Sequence, residues 1–139
     1  QPEHCLEVQL PFLQTVLKNF KIFPLIMGDI SSKEVAELLA LLLDEQSLLV
    51  VSSDLSHYLP YQEAKEIDQV TIDAVLQQDL VNFQEQGEAC GKMPIISLMH
   101  LALQQHWHPH LLKALNSGDI TGDRTQVVGY ASFAYTAKK

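Results

Sequence analysis

Two patterns of apolar residues alternate along this chain. In the first, apolar positions recur three and four apart. Leu13, Val16, Leu17 and Phe20 do so behind Pro11, which suits the first turn of a helix. Ser31-Ser32-Lys33-Glu34 has the spacing of a capping box, with Val35, Leu38, Leu39 and Leu42 following on one face. Pro60 opens a longer helix with Ala64, Ile67, Val70, Ala74 and Val75 on one side. Asp79 starts a shorter helix that Gly87 ends, and Pro94 marks the first turn of another, carrying Ile95, Leu98, Met99, Ala102 and Leu103.

The second pattern is the short apolar run. Residues 22–27, ended by Gly28-Asp29, and residues 48–53 predict buried strands. Residues 111–115 predict a third strand. Residues 127–135 predict the last, with Val127, Gly129, Ala131, Phe133 and Tyr135 on one face. Residues 3–10 read as a loop or short turn. Ser117-Gly118-Asp119 and Thr121-Gly122-Asp123 carry turn chemistry. Runs without alternation imply strands buried on both faces, so the fold class is α/β with helices on both sides of a sheet. The turn-rich loop between the last two strands makes that pair antiparallel.

Composition narrows the function classes. The 139 residues are 47% apolar and 19% charged, as in a globular unit with a real core. No apolar run approaches the roughly 20 residues of a membrane span, and no signal-peptide pattern is visible, so a cytoplasmic, membrane-free protein is expected. A net charge of −8, with basic residues scattered except for Lys138-Lys139, argues against nucleic-acid binding. Two cysteines, Cys5 and Cys90, are too few for a disulfide framework and point to a reducing compartment. The sequence starts at Gln1 rather than Met, which suggests a fragment.

Four places could carry chemistry. Ser52-Ser53-Asp54-Leu55-Ser56-His57 follows an apolar run, where open α/β sheets bind ligands. There His57 is either a base held by Asp54 or part of a polar loop that caps the next helix. Cys90-Gly91 precedes a helix, a position that favours a thiolate nucleophile or soft-metal ligand; the alternative is a buried structural cysteine. Glu3, His4, Cys5 and Glu7 gather potential ligands, but not all can converge from one turn. His106, His108 and His110 alternate, either as chelators or as a solvated helix-to-strand connection, and His100 reads as a packing histidine. No phosphate-binding loop, dinucleotide fingerprint, CxxC or HExxH pattern occurs.

Taken together, these segments resemble one family. Glu3-His4-Cys5-Leu6-Glu7-Val8-Gln9-Leu10-Pro11-Phe12 resembles the E-H-S-x-E-x-Q-L-P-F/Y block of Memo-like proteins, whose prokaryotic members are called AmmeMemoRadiSam system protein B. Ser52-Ser53-Asp54-Leu55-Ser56-His57-Tyr58 is similar to its S-S-D-F/L-C/S-H-W/Y block. Ala89-Cys90-Gly91-Lys92-Met93-Pro94-Ile95 resembles its C-G-x-x-P-I/V block. Asn116-Ser117-Gly118-Asp119 with Val127-Val128-Gly129-Tyr130-Ala131 is similar to its closing block.

The resemblance implies that residues 1–139 are the carboxyl-terminal part of a single Memo-like domain. The family's amino-terminal half carries P-H-A-G-Y and G-x-x-H blocks, each with a histidine metal ligand; neither occurs in this sequence. The implied fold is a three-layer α/β/α sandwich similar to class III extradiol dioxygenases. Cys90 matches the family's cysteine metal ligand. His57 matches the dioxygenases' base near the metal, and Asp54 the carboxylate beside it. His4 matches a histidine of the pocket rim or of the layer behind the metal ligand, and Ser53 and Gly91 are placed in that pocket or layer with it.

The implied cofactor of the full-length parent is Fe(II) or Cu, which a thiolate with two imidazoles suits. The implied role is redox or metal handling, with a radical-SAM protein and an AMMECR-type protein as partners. The alternatives are an extradiol-dioxygenase-like oxygenase with His57 as acid/base, or a non-enzymatic module that binds a peptide or partner. Whether the chain is a metal-dependent oxidoreductase, and whether it forms a homo-oligomer, stay open at this point.

Overall fold

The computed structural model describes residues 4–137. Glu3 of the first ligand cluster and the Lys138-Lys139 pair lie outside them. Six helices and a three-stranded sheet make a mixed α/β fold among the described residues: α1 (Leu10–Val16), α2 (Ser32–Leu42), β1 (His57–Leu59), α3 (Tyr61–Gln77), α4 (Leu80–Gln86), α5 (Lys92–Gln104), β2 (Trp107–Asn116), α6 (Ser117–Thr121) and β3 (Val127–Ala137).

Local chemistry sets the helix ends. The capping box at Ser31 and Glu34 is formed in full and starts α2. Pro60 caps α3, and Gln78, in the left-handed region at φ 53, ends it. The Asp79 carboxylate accepts from the Asn82 amide at 3.0 Å to start α4, and Gly87 closes it. Asn116 and Asp119 form a second capping box, so 117–119, expected as a turn, begin the short helix α6. Pro94 falls two residues inside α5, whose cap is Gly91.

The sheet order is β1-β3-β2, all antiparallel. β2 runs along β3 from Trp107 opposite Ala137 to Asn116 opposite Gly129, with a bulge between Leu111 and Lys113. The expected antiparallel pair is therefore present, and β2 is longer than 111–115. His108 and His110 lie on this strand rather than in a connection; the His110 ring bonds to the Thr136 hydroxyl at 2.9 Å. On β3 the expected face holds: Val127 and Gly129 are buried, Ala131, Phe133 and Tyr135 are half-buried, and Tyr130, Ser132 and Thr136 are exposed.

Two strand expectations fail. Residues 22–27 and 48–53 have no regular secondary structure, and Phe23 and Ile26 are exposed. An apolar run favours extended backbone, but a strand also needs a neighbour to accept its hydrogen bonds. None flanks these runs among the described residues.

The core has two parts that meet at α5. Phe83, Ile96, Met99, Ala74 and Val75 pack with Phe133 and Tyr135 of β3. Val35, Ala36 and Leu39 of α2 pack on Leu101 from the other side of α5. On α3 the buried stripe is Ala64, Asp68, Thr71, Ile72, Ala74 and Val75, rotated from the expected face, so that Val70 is exposed. No helix among the described residues is long and apolar enough to cross a membrane.

Candidate functional site

The loop ahead of β1 is drawn against β3 by two backbone bonds. The Leu55 amide donates to the Gly129 carbonyl and the Gly129 amide to the Ser56 carbonyl, both at 2.9 Å. His57 then enters β1 opposite Val128, and the ladder shifts register before Leu59. At that shift Tyr58 sits in the left-handed region at φ 58. A tyrosine held there costs about 1–2 kcal/mol, strain that persists only where neighbours fix it.

This loop meets the segment ahead of α5 in a tight clip. The Asp54 amide donates to Cys90 Sγ at 3.2 Å, and the Cys90 amide donates to the Asp54 carbonyl at 3.2 Å. The Ser53 hydroxyl donates to the Asp54 carbonyl at 2.7 Å and accepts from the Gly91 amide at 2.8 Å. Its hydrogen is thereby used, so at the 3.5 Å contact with Sγ the thiol would be the donor. Gly91 is required by this closeness: a Cβ there would come 2.8 Å from the Ser53 Cβ and 3.2 Å from the Ser52 carbonyl oxygen. Cys90 is exposed and in no disulfide.

The clip gathers three ligand types. One donor atom each from Asp54, His57 and Cys90 lies within 4.8 Å of the others. His57 Nε2 stands 3.5 Å from Asp54 Oδ2, with both side chains partly exposed. Ligands held about 2.0–2.3 Å from one ion are at most about 4.6 Å apart, so small side-chain adjustments would let these three close on a metal. A thiolate, an imidazole and a carboxylate form a mixed set that suits a borderline transition metal and leaves further coordination positions open.

Of the other expected site residues, Ser53 and Gly91 belong to the clip. His4 is exposed, bonds to Glu7 three residues on, and stands outside the three converging groups. Its imidazole holds the exposed Glu7 carboxyl below the usual carboxylate range. That turn still reaches the site through Gln9, whose Nε2 donates to Ser52 Oγ at 2.9 Å. His106, His108 and His110 gather no third ligand of the His, Cys, Asp or Glu type among the described residues, and His100 is half-buried on α5.

Tyr130 borders the site from β3. Desolvation, and then the Asp54 charge, push its phenol above the ordinary tyrosine value, so it stays neutral. A cleft of about 1210 Å³ opens beside it, lined by Ser53, Tyr130, Leu48, Val51, Phe133 and Tyr135 among others. Asp54, His57 and Cys90 do not line the cleft; their neighbours Gln9, Ser53, Leu55 and Tyr130 do. Burial pushes Tyr135 up to about 12.

Residues from four separated segments thus meet: Gln9, the 52–57 loop, Cys90-Gly91 and Gly129-Tyr130. A sequence profile described as Memo-like protein matches residues 1–134. The chain belongs to the Memo-like family. Curated relatives agree, each named as a MEMO1 family protein. The Methanosarcina mazei protein is 38% identical over 94% of this chain and 54% of its own length. The Archaeoglobus fulgidus protein is 36% identical over 96% of the chain and 55% of its length. The Sulfolobus acidocaldarius protein is 38% identical over 96% of the chain and 51% of its length. The chain therefore spans about half the length of the Memo-like relatives it matches.

Sequence reasoning missed Tyr130 as a neighbour of Asp54, Gln9 as a tie to the loop, and the buried polar pair Asp68 and Thr71. The last pair had a legible signal. Asp68 and Thr71 fall four and seven residues after Ala64, on the helix stripe that must be apolar or satisfied.

Proposed function

We propose that this chain supplies one wall of a non-haem metal site in a Memo-like protein with a redox or metal-handling role. The observation that carries the reading is the convergence of Asp54, His57 and Cys90. Cys90 is the anchoring ligand: its Sγ lies within reach of the Asp54 and His57 donor atoms and already accepts the Asp54 amide. His57 is a ligand or a base beside the metal, and Asp54 orients it. Fe(II) or Cu suits this mixture of soft and borderline donors. The bound ion would supply electron transfer or polarise an oxygen ligand. Of the chain's own residues, His57 would take or give a proton beside the ion, and the neutral Tyr130 phenol borders it from β3.

In this reading the chain is the carboxyl-terminal part of one Memo-like domain, and histidines outside it complete the coordination. The apolar cleft and the unpaired runs 22–27 and 48–53 are then surfaces on which the rest of the domain packs. A radical-SAM protein and an AMMECR-type protein are the proposed partners. The Asp54–His57 pair also supports an oxygenase, with His57 as acid/base toward a catechol-like substrate; oxygen uptake by the iron-loaded parent, lost in His57→Ala, would select that version.

The test is titration of Fe(II) and Cu(I) into the full-length parent and its Cys90→Ser variant. Loss of about 1.4 kcal/mol or more of binding free energy, tenfold in affinity, is expected. Unchanged affinity removes Cys90 as a ligand and the reading with it.

A further inference from the structure

The two arms of the site do not hold each other in place alone, because one helix grips both. On α3, Asp68 and Thr71 lie three residues apart on the buried stripe, 7% and 1% exposed. Asp68 Oδ1 accepts the Ser56 amide at 3.0 Å, inside the loop that carries Asp54 and His57. Thr71 Oγ1 accepts the Glu88 amide at 2.9 Å, two residues before Cys90. Its own hydrogen goes to the Ile67 carbonyl at 3.3 Å, which orients the oxygen toward Glu88. Each arm therefore ends a backbone donor on a buried acceptor of the same rigid helix.

The third strand is shaped to admit this grip. Gly129 exchanges backbone bonds with Leu55 and Ser56, and its Cα lies against the Asp68 carboxylate so closely that a Cβ would overlap it. Glycine is needed at this position for space, since the backbone and the carboxylate share it. Ser56, wedged between them, is 3% exposed.

We propose that Asp68 and Thr71 are positioning residues that set the gap between the Asp54–His57 arm and Cys90. This rests on the reading of those three residues as the functional site. Neither residue touches a ligand atom of the site. They act by fixing where the backbone at Ser56 and Glu88 lies, and a buried acceptor is the means, since both amides would otherwise lose their partners. Three donor atoms must lie within a few ångströms for one ion to bridge them, so a small shift of either arm separates them.

The test uses the 139-residue chain with Thr71→Val, Thr71→Ser, Asp68→Ala and Asp68→Asn. Cys90 alkylation by iodoacetamide is followed by peptide mass spectrometry that separates it from Cys5. Cobalt(II) affinity is read from the thiolate charge-transfer band. Thr71→Val and Asp68→Ala are expected to change the alkylation rate several-fold and weaken cobalt binding by about tenfold, as supporting residues of metal ligands do. Thr71→Ser and Asp68→Asn keep an acceptor and should restore both.

Alkylation and affinity within about twofold of the parent in folded Thr71→Val and Asp68→Ala would overturn the proposal. If Asp68→Ala does not fold, Thr71→Val and amide exchange in the unaltered chain decide: Ser56 and Glu88 amides are expected to be protected, and exchange as fast as exposed loop amides overturns it. If the unaltered 139-residue chain binds no cobalt, alkylation alone judges the positioning, and the metal reading is judged by the full-length titration.

Discussion

Residues 4–50 and residues 51–137 carry similar apolar patterns and meet different fates. In the second region Phe83, Met99, Leu101 and Val127 are fully buried. In the first, only Val35, Ala36 and Leu39 are buried, while Phe23 is 75% and Ile26 82% exposed. The difference lies in neighbours rather than in composition. Helices α3, α4 and α5 fold back on β3 and cover one another's apolar stripes. The runs at 22–27 and 48–53 find no strand beside them. The site follows the same division: Asp54, His57, Cys90 and their helix α3 belong to the closed region, and the open region reaches it through Gln9.

The sharpest way to break this comparison is truncation in each region. Phe83→Ala is expected to cost about 3–5 kcal/mol, because the ring is fully buried among Ala74, Val75, Ile96 and Met99. Phe23→Ala is expected to change stability by less than about 0.5 kcal/mol, as exposed substitutions do. Urea denaturation of the two variants checks both. A large cost at Phe23 would show that the first region is covered in solution, and the contrast would vanish.

Gly91→Ala probes the closed region where it carries the clip. The new methyl meets Ser53 and the Ser52 carbonyl, neither of which is the free end of a flexible side chain. A cost of about 1–3 kcal/mol is expected. It should come with faster Cys90 alkylation, because displacing Ser53 loosens the Asp54 amide from Sγ. A destabilised variant with unchanged alkylation would show that the thiol environment does not depend on the clip.

What the sequence made legible follows from the range of each signal. The Ser31 capping box, the Asp79 cap, the Gly87 stop and the alternation of β3 are written within a few residues, and all are present. The Ser53–His57 loop and Cys90 were legible as candidates because polar residues gathered at the end of an apolar run and ahead of a helix, and the fold brings Asp54, His57 and Cys90 together. The strands at 22–27 and 48–53 were not determined locally, since a run of Ile, Leu and Val specifies extended backbone but not a partner. The face of α3 was misread because Val70 fits the helical period as well as Asp68 does. The spacing from Ala64 admits either side chain, and packing selects the carboxylate, satisfied by the Ser56 amide.

The smallest effect tests whether the open region is held by local signals alone. Ser31→Ala removes the hydroxyl that accepts from the Glu34 amide at 3.2 Å and bonds the Glu34 carboxylate at 2.7 Å. Loss of such a cap costs about 1 kcal/mol. The Ser31 hydroxyl, then its amide, hold the Glu34 carboxyl below the usual carboxylate range. A carboxyl depressed on folding adds stability above its unfolded value and loses it as pH falls through its folded value. The stability gap between Ser31→Ala and the parent should therefore be full at neutral pH and shrink as pH drops below the ordinary glutamate range. Part of it survives in acid, because the hydroxyl still accepts the amide when Glu34 is protonated. A gap constant with pH would mean that Glu34 does not close the box in solution, leaving α2 to be held by Val35, Ala36 and Leu39 against Leu101.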